Sequence, residues 1–191
     1  MKSFRLIVQP IAVAVALALV VRGFVHLYTI PSASMTPALA PGDHILVTPY
    51  VRDARPERGD VIVFRRGDTV LVKRVIATQG DLVEARLGRV IISGHALAEP
   101  YLAEQGVSGA IEAQIVPHDC YFVMGDNRAS SLDSRSWGVL PHDAIIGRAR
   151  MVLWSSKWGG GAVAGASETE RSRRDAGAPG GATLRLFRPI S

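Results

Sequence analysis

The chain has 191 residues, enough for one ordinary domain with appendages, and its 48% hydrophobic and 20% charged residues exclude disorder along the whole length. Its single cysteine, Cys120, excludes an internal disulfide framework and any cysteine-rich metal site. Lys and Arg outnumber Asp and Glu by 22 to 17, a net charge of +5, and no basic block is interleaved with aromatics, which excludes nucleic acid as a partner.

The first element is an apolar run, Leu6–Val21, interrupted only by Gln9 and Pro10. As a helix it spans about 24 Å, and continuing through Phe24, Val25 and Leu27 with Arg22 snorkelling brings it to the roughly 30 Å of a hydrocarbon core. Lys2 and Arg5 precede it, which favours an N-terminus inside. A cleavable secretory signal is the alternative, but Arg22, Phe24, His26 and Tyr28 stand where small cleavage-site residues belong. Residues 1–27 are therefore expected to form a tail and one transmembrane anchor.

From Tyr28 the pattern changes to short Val- and Ile-rich runs bounded by Gly, Pro and Asp. Strands are expected at His44–Thr48, Asp60–Phe64, Thr69–Ile76, Leu82–Glu84, Arg89–Ser93, Ala113–Ile115 and Tyr121–Met124. Pro41-Gly42-Asp43, Arg58-Gly59-Asp60 and Gly80-Asp81 supply the turns, and a short helical turn is possible at Asp143–Ile146. Residues 28–158 thus read as a mostly β, small-stranded domain of partly barrel-like character. Residues 159–182, rich in Gly, Ser and Ala, read as a flexible loop. Strand character returns at Leu184–Phe187, so 183–191 is expected to rejoin the sheet.

Three segments carry chemistry. In Pro31-Ser32-Ala33-Ser34-Met35-Thr36-Pro37 the prolines restrict the backbone, and two serines two apart on an extended strand share a face. One hydroxyl can attack while the other stabilises an oxyanion, although such a segment also fits a plain polar loop. In Leu71-Val72-Lys73-Arg74-Val75-Ile76 a lysine interrupts an apolar strand. Buried, it titrates low and can serve as a base; on an edge strand, it simply points to water. The third segment, 125–138, is dense in hydrogen-bonding groups and closes on Trp137-Gly138, which needs a packing site.

Together these segments resemble the type I signal peptidases, membrane-bound Ser–Lys endopeptidases of bacteria. The third is similar to that family's signature G-D-N-R-x-x-S-x-D-S-R-x-W-G, and the first to its P-S-x-S-M-x-P box. The resemblance implies Ser34 as nucleophile, Lys73 as general base, and Ser32 with the Ser34 N–H as oxyanion hole. It implies Ser131 as a hydrogen-bond partner of the lysine, Asp133 paired with Arg135, and Asp126 with Arg74. A Ser–Lys pair needs no histidine, and the five histidines form no triad or metal motif. No cofactor or metal is expected.

The substrates implied are secretory preproteins, cut after small-x-small sites near the translocon. An extended peptide is expected along a strand edge, with Ile30, Met35, Leu39 and Val72 walling the pocket nearest the cut, though all four also suit an ordinary core. The implied setting is the bacterial inner membrane, single-pass, N-terminus cytoplasmic, catalytic domain outside, with the bilayer as partner. Two alternatives stay open: a pilin or conjugation processing peptidase of the same Ser–Lys type, and a membrane-tethered β-domain that binds peptides without cutting them. Only 84–120 separates the lysine strand from the signature, so any second β unit must be small or absent.

Overall fold

Val and Ile at alternate positions between Gly-containing turns produce twelve described strands in a computed structural model, which describes residues 11, 13, 25–51, 54–103, 106, 111–155 and 188–189. In chain order they are β1 (His26–Thr29), β2 (Asp43–Thr48), β3 (Val61–Arg66), β4 (Thr69–Ala77), β5 (Leu82–Arg86), β6 (Arg89–Ile92), β7 (His95–Ala96), β8 (Gln114–Ile115), β9 (Cys120–Met124), β10 (Leu140–Pro141), β11 (Ile145–Ser155) and β12 (Arg188–Pro189). The larger sheet runs β1-β2-β11-β3-β4-β9-β10, with β12 also on β11, and a smaller one runs β7-β6-β5-β8. Every pairing is antiparallel. The larger sheet stays open, so the expected barrel character does not extend to a closed barrel.

Both faces of the larger sheet are covered, which is why β3 reads as an unbroken apolar run over Val61–Phe64, before the exposed Arg65 and Arg66. Val61 and Val63 join Ile30, Met35, Leu39, Ile45 and Val47 on one face. Ile62 and Phe64 join Val75, Tyr121, Val123 and Leu140 on the other. A third cluster, with Ile76, Phe122 and Met124 facing Val83, Val90 and Ile92, welds the small sheet to the large one. Each such side chain contributes about 1.5–3 kcal/mol on full burial. The second β unit therefore exists and is small.

Three expectations change here. The apolar segment does not run on through Leu27, because His26–Thr29 pairs with the edge of β2, from His26 opposite Val47 to Thr29 opposite His44. The helical turn expected at Asp143–Ile146 is confined to His142–Ala144, and an unforeseen eleven-residue strand, β11, begins at Ile145. That strand crosses the centre of the sheet between β2 and β3. Its register shifts three times, which breaks the alternation a strand normally writes into its sequence.

Of Leu6–Val21 only Ile11 and Val13 are described, both helical and exposed. Among the described residues no helix is long and apolar enough to cross a membrane. The 159–182 segment and Leu184–Phe187 lie outside the described residues, while Arg188 and Pro189 pair with Val152 and Met151.

Candidate active site

The Pro31–Pro37 segment is not extended throughout. Ser32 and Thr36 are extended, Thr36 because it precedes Pro37, but Ala33–Met35 between them form a single 3-10 turn. Proline constrains itself and the residue before it, which leaves Ala33–Met35 free to turn. Met35 and Leu39 fix that turn from below: both are buried in the core beside Ile30, and the Leu39 N–H bonds the Met35 carbonyl. Ser34 is left at the top, with the Ser32 hydroxyl donating to its Oγ at 3.3 Å.

Lys73 comes from the middle of β4, opposite Ile62 of β3. Only 2% of it is exposed, and its Nζ donates to Ser34 Oγ at 2.7 Å. Burial holds the ammonium below its ordinary value; the Asp133 carboxylate opposes this, the Arg135 charge reinforces it, and Asp126 opposes it again. The β9 pairing with β4 begins at Arg74, so Thr69–Lys73 has β3 along one side and no described strand along the other.

The loop after β9 grips the serine turn and the arginine beside Lys73. Asp133, fully buried, accepts the Gly125 N–H at 3.0 Å and two guanidinium bonds from Arg135 at 2.8 Å each, and caps the helical turn Ser134–Trp137. Burial alone would raise the Asp133 carboxyl, but Arg135 and the Gly125 N–H outweigh it and hold the group below its ordinary value. Ser134 Oγ accepts the Val123 N–H. Asn127 reaches across to the serine turn, its backbone N–H to the Ser34 carbonyl at 3.1 Å and its side-chain amide to the Ala33 carbonyl at 3.2 Å.

Arg74, beside Lys73 in sequence, holds Asp126 through two bonds of 2.9 and 2.8 Å and donates a third to the Gly59 carbonyl. Both charged ends of that pair are essentially excluded from water. Ser131 differs from its expected part: its hydroxyl is buried, leans on Asp133 without an aligned hydrogen bond, and makes none to Lys73.

A groove of about 250 Å³ opens over Ser34 and Lys73. Of the four residues expected to wall it, Ile30, Met35 and Val72 line it, whereas Leu39 lies wholly in the core beneath. Sequence reasoning missed Val70 and Leu132 on its rim, and Gly125 and Asn127 against the serine turn. Val70 was findable, lying two residues from Val72 on one strand face; nothing marks Leu132 beyond its place inside the 125–138 segment. A second cavity, near Cys120, Arg55 and Asp119, contains neither Ser34 nor Lys73. Among the described residues no cluster of three His, Cys, Asp or Glu is arranged to hold a metal ion.

Comparison with known proteins points one way. The family model described as "Signal peptidase, peptidase S26" matches residues 4–154. Signal peptidase I of Leptolyngbya laminosa is 36% identical over 159 residues, 77% of this chain and 78% of that protein. Signal peptidase I of Bacillus amyloliquefaciens is 36% identical over 161 residues, 76% of this chain and 83% of that one. The crystal structure of a signal peptidase I from Enterococcus faecalis V583 is 30% identical, covering 51% of this chain and 98% of its own, at a TM-score of 0.46.

Proposed function

The chain belongs to the signal peptidase S26 family, and from that premise we propose that it removes N-terminal signal peptides from secretory preproteins, with Ser34 as nucleophile and neutral Lys73 as its base. The reading rests on the 2.7 Å contact between Lys73 Nζ and Ser34 Oγ inside a site where the lysine is buried. That separation serves both proton arrangements, the ammonium donating to the hydroxyl or the hydroxyl donating to the neutral amine. Desolvation favours the second, which is the competent one.

In the proposed cycle the amine takes the Ser34 proton as Oγ attacks the scissile carbonyl. The resulting oxyanion is met by the Ser34 N–H, at the start of its turn, and by the Ser32 hydroxyl once that group swings from Ser34 Oγ to the new charge. The ammonium then gives its proton to the departing amine, and a water repeats the sequence on the acyl-enzyme. Asp133–Arg135 and Arg74–Asp126 keep the loop rigid around these groups.

The open side of Thr69–Lys73 supports a substrate that binds as an added strand, through main-chain hydrogen bonds. The groove is smaller than the roughly 300 Å³ at which ligand pockets usually begin, which suits small side chains on either side of one skipped position. We read Leu6–Val21 as the anchor that holds this groove at the outer face of the cytoplasmic membrane, near the translocon. The test is cleavage of a preprotein in detergent by wild type, Ser34→Ala and Lys73→Ala. Cutting after a small-x-small site by wild type alone, with both variants folded, supports the pair; undiminished cutting by Ser34→Ala would end it.

A further inference from the structure

The groups that grip the Ser34 turn are themselves held from outside the loop, by residues Glu99 and Tyr101 that lie between β7 and β8 of the small sheet. Asn127 bonds inward to the carbonyls of Ser34 and Ala33, and the residue on each side of it is tied outward. Asp126 is tied to Arg74, whose guanidinium lies 4.0 Å from the centre of the Tyr101 ring. Arg128 is tied to Glu99, through a bond of 3.0 Å and a second, shorter one. The Tyr101 hydroxyl in turn donates to Glu99 at 2.8 Å.

The third edge of the Arg128 guanidinium is the important one: its Nε donates to the Gly125 carbonyl at 3.1 Å. A guanidinium is planar and rigid, so the carboxylate that fixes two of its edges fixes the direction of the third. Gly125 is thereby held at its carbonyl by Arg128 and at its N–H by Asp133, on backbone so near the Ser34 carbonyl that a Cβ added at Gly125 would overlap it. Glu99 and Arg128 are both buried, at 8% and 5% exposure, so the arrangement is not loosened by solvent.

We propose that Glu99 is a positioning residue: acting through Arg128, it sets where Gly125 and Asn127 meet the Ser34 turn, and so the Ser34–Lys73 geometry. The proposal rests on the reading of that pair given above. It assigns a residue between β7 and β8 of the small sheet a part in the reaction, besides packing. A purely structural role would consist of neutralising a buried charge, and the two roles separate when both charges are removed together.

The experiment compares wild type, Glu99→Gln, and Glu99→Gln combined with Arg128→Met, by thermal melting, by kcat and KM on a preprotein, and by amide exchange at Asn127. The double variant leaves no buried charge unpaired and is expected to melt near wild type. Its kcat is expected to fall about tenfold or more with KM changed less than about twofold. Its Asn127 amide is expected to exchange about tenfold faster than wild type while the β3 amides do not change. A double variant with wild-type kcat and wild-type exchange at Asn127 would overturn the proposal. Should wild type cleave no preprotein, the reading of Ser34 and Lys73 fails, and the exchange at Asn127 still decides the role of Glu99.

Discussion

Gly125 stands so close to Ser34 that a Cβ built on it would lie 2.4 Å from the Ser34 carbonyl oxygen, and 2.2 Å from Ser131 Oγ. One of those neighbours is backbone, already bonded to Asn127, so it cannot yield without moving the serine turn. Gly125→Ala is expected to destabilise the fold by about 1–3 kcal/mol through overpacking. It should lower kcat by about a hundredfold, because the displacement falls on the attacking group. A thermal melt and steady-state cleavage on the same preparation check both parts.

Lys73 makes a second prediction through its proton. Its folded pKa lies below the unfolded value of 10.5, so the rate is expected to rise with pH through the folded pKa and to level off before that value. The same shift costs stability: the penalty is full below the folded pKa and fades as pH rises towards the unfolded one. Lys73→Met therefore abolishes cleavage yet is expected to raise the melting temperature at pH 7, by about 2–4 °C. A variant that melts lower than wild type at pH 7 and equally at high pH would contradict this sign.

Arg74 and Asp126 form a pair buried on both sides. Asp126→Asn leaves the guanidinium without its counter-charge and is expected to cost about 3–5 kcal/mol. Arg74→Met combined with Asp126→Leu removes both charges and is expected to cost distinctly less than the single change. Urea unfolding of Arg74→Met, Asp126→Leu and their double closes the cycle, with Asp126→Asn measured beside them.

Leu132 is 68% exposed on the rim of the groove, and its neighbour Asp133 is rigidly bonded. If the groove takes substrate as proposed, a large apolar side chain held in water on its rim is placed to touch it. Leu132→Ala is expected to raise KM by up to about tenfold, the loss of some 1.4 kcal/mol of apolar contact, with kcat nearly unchanged. Kinetics on peptides that differ at one position at a time would identify the residue it touches.

What the sequence made legible follows from what kind of signal each part left. Strands such as β3 and β4 write their burial into Val and Ile, and the turns into Gly and Asp, so both were readable. The 125–138 segment was recognisable from its polar density, and Arg74–Asp126 and Asp133–Arg135 meet in space as the family resemblance implied. β11 was not readable because three register shifts scatter its inward residues and place Arg148 and Arg150 in its middle; these bond to Asp60 and Thr48. β1 was masked by its neighbourhood, four residues at the end of a long apolar run. Glu99 left no local signal, since its partner lies 29 residues away and a lone carboxylate in a loop looks like any surface acid.

Lys73 and Arg74 are adjacent on one strand and meet opposite environments, one a hydroxyl and the other a carboxylate. A one-residue slip of β4 in one direction would set against Ser34 a guanidinium that never gives up its proton; a slip in the other would set against Asp126 an amine that cannot form the two-pronged bond. The mispaired sheet would be both less stable and inert. The two neighbouring cations thus act as a check on strand register during folding, and only a correctly threaded chain becomes a peptidase.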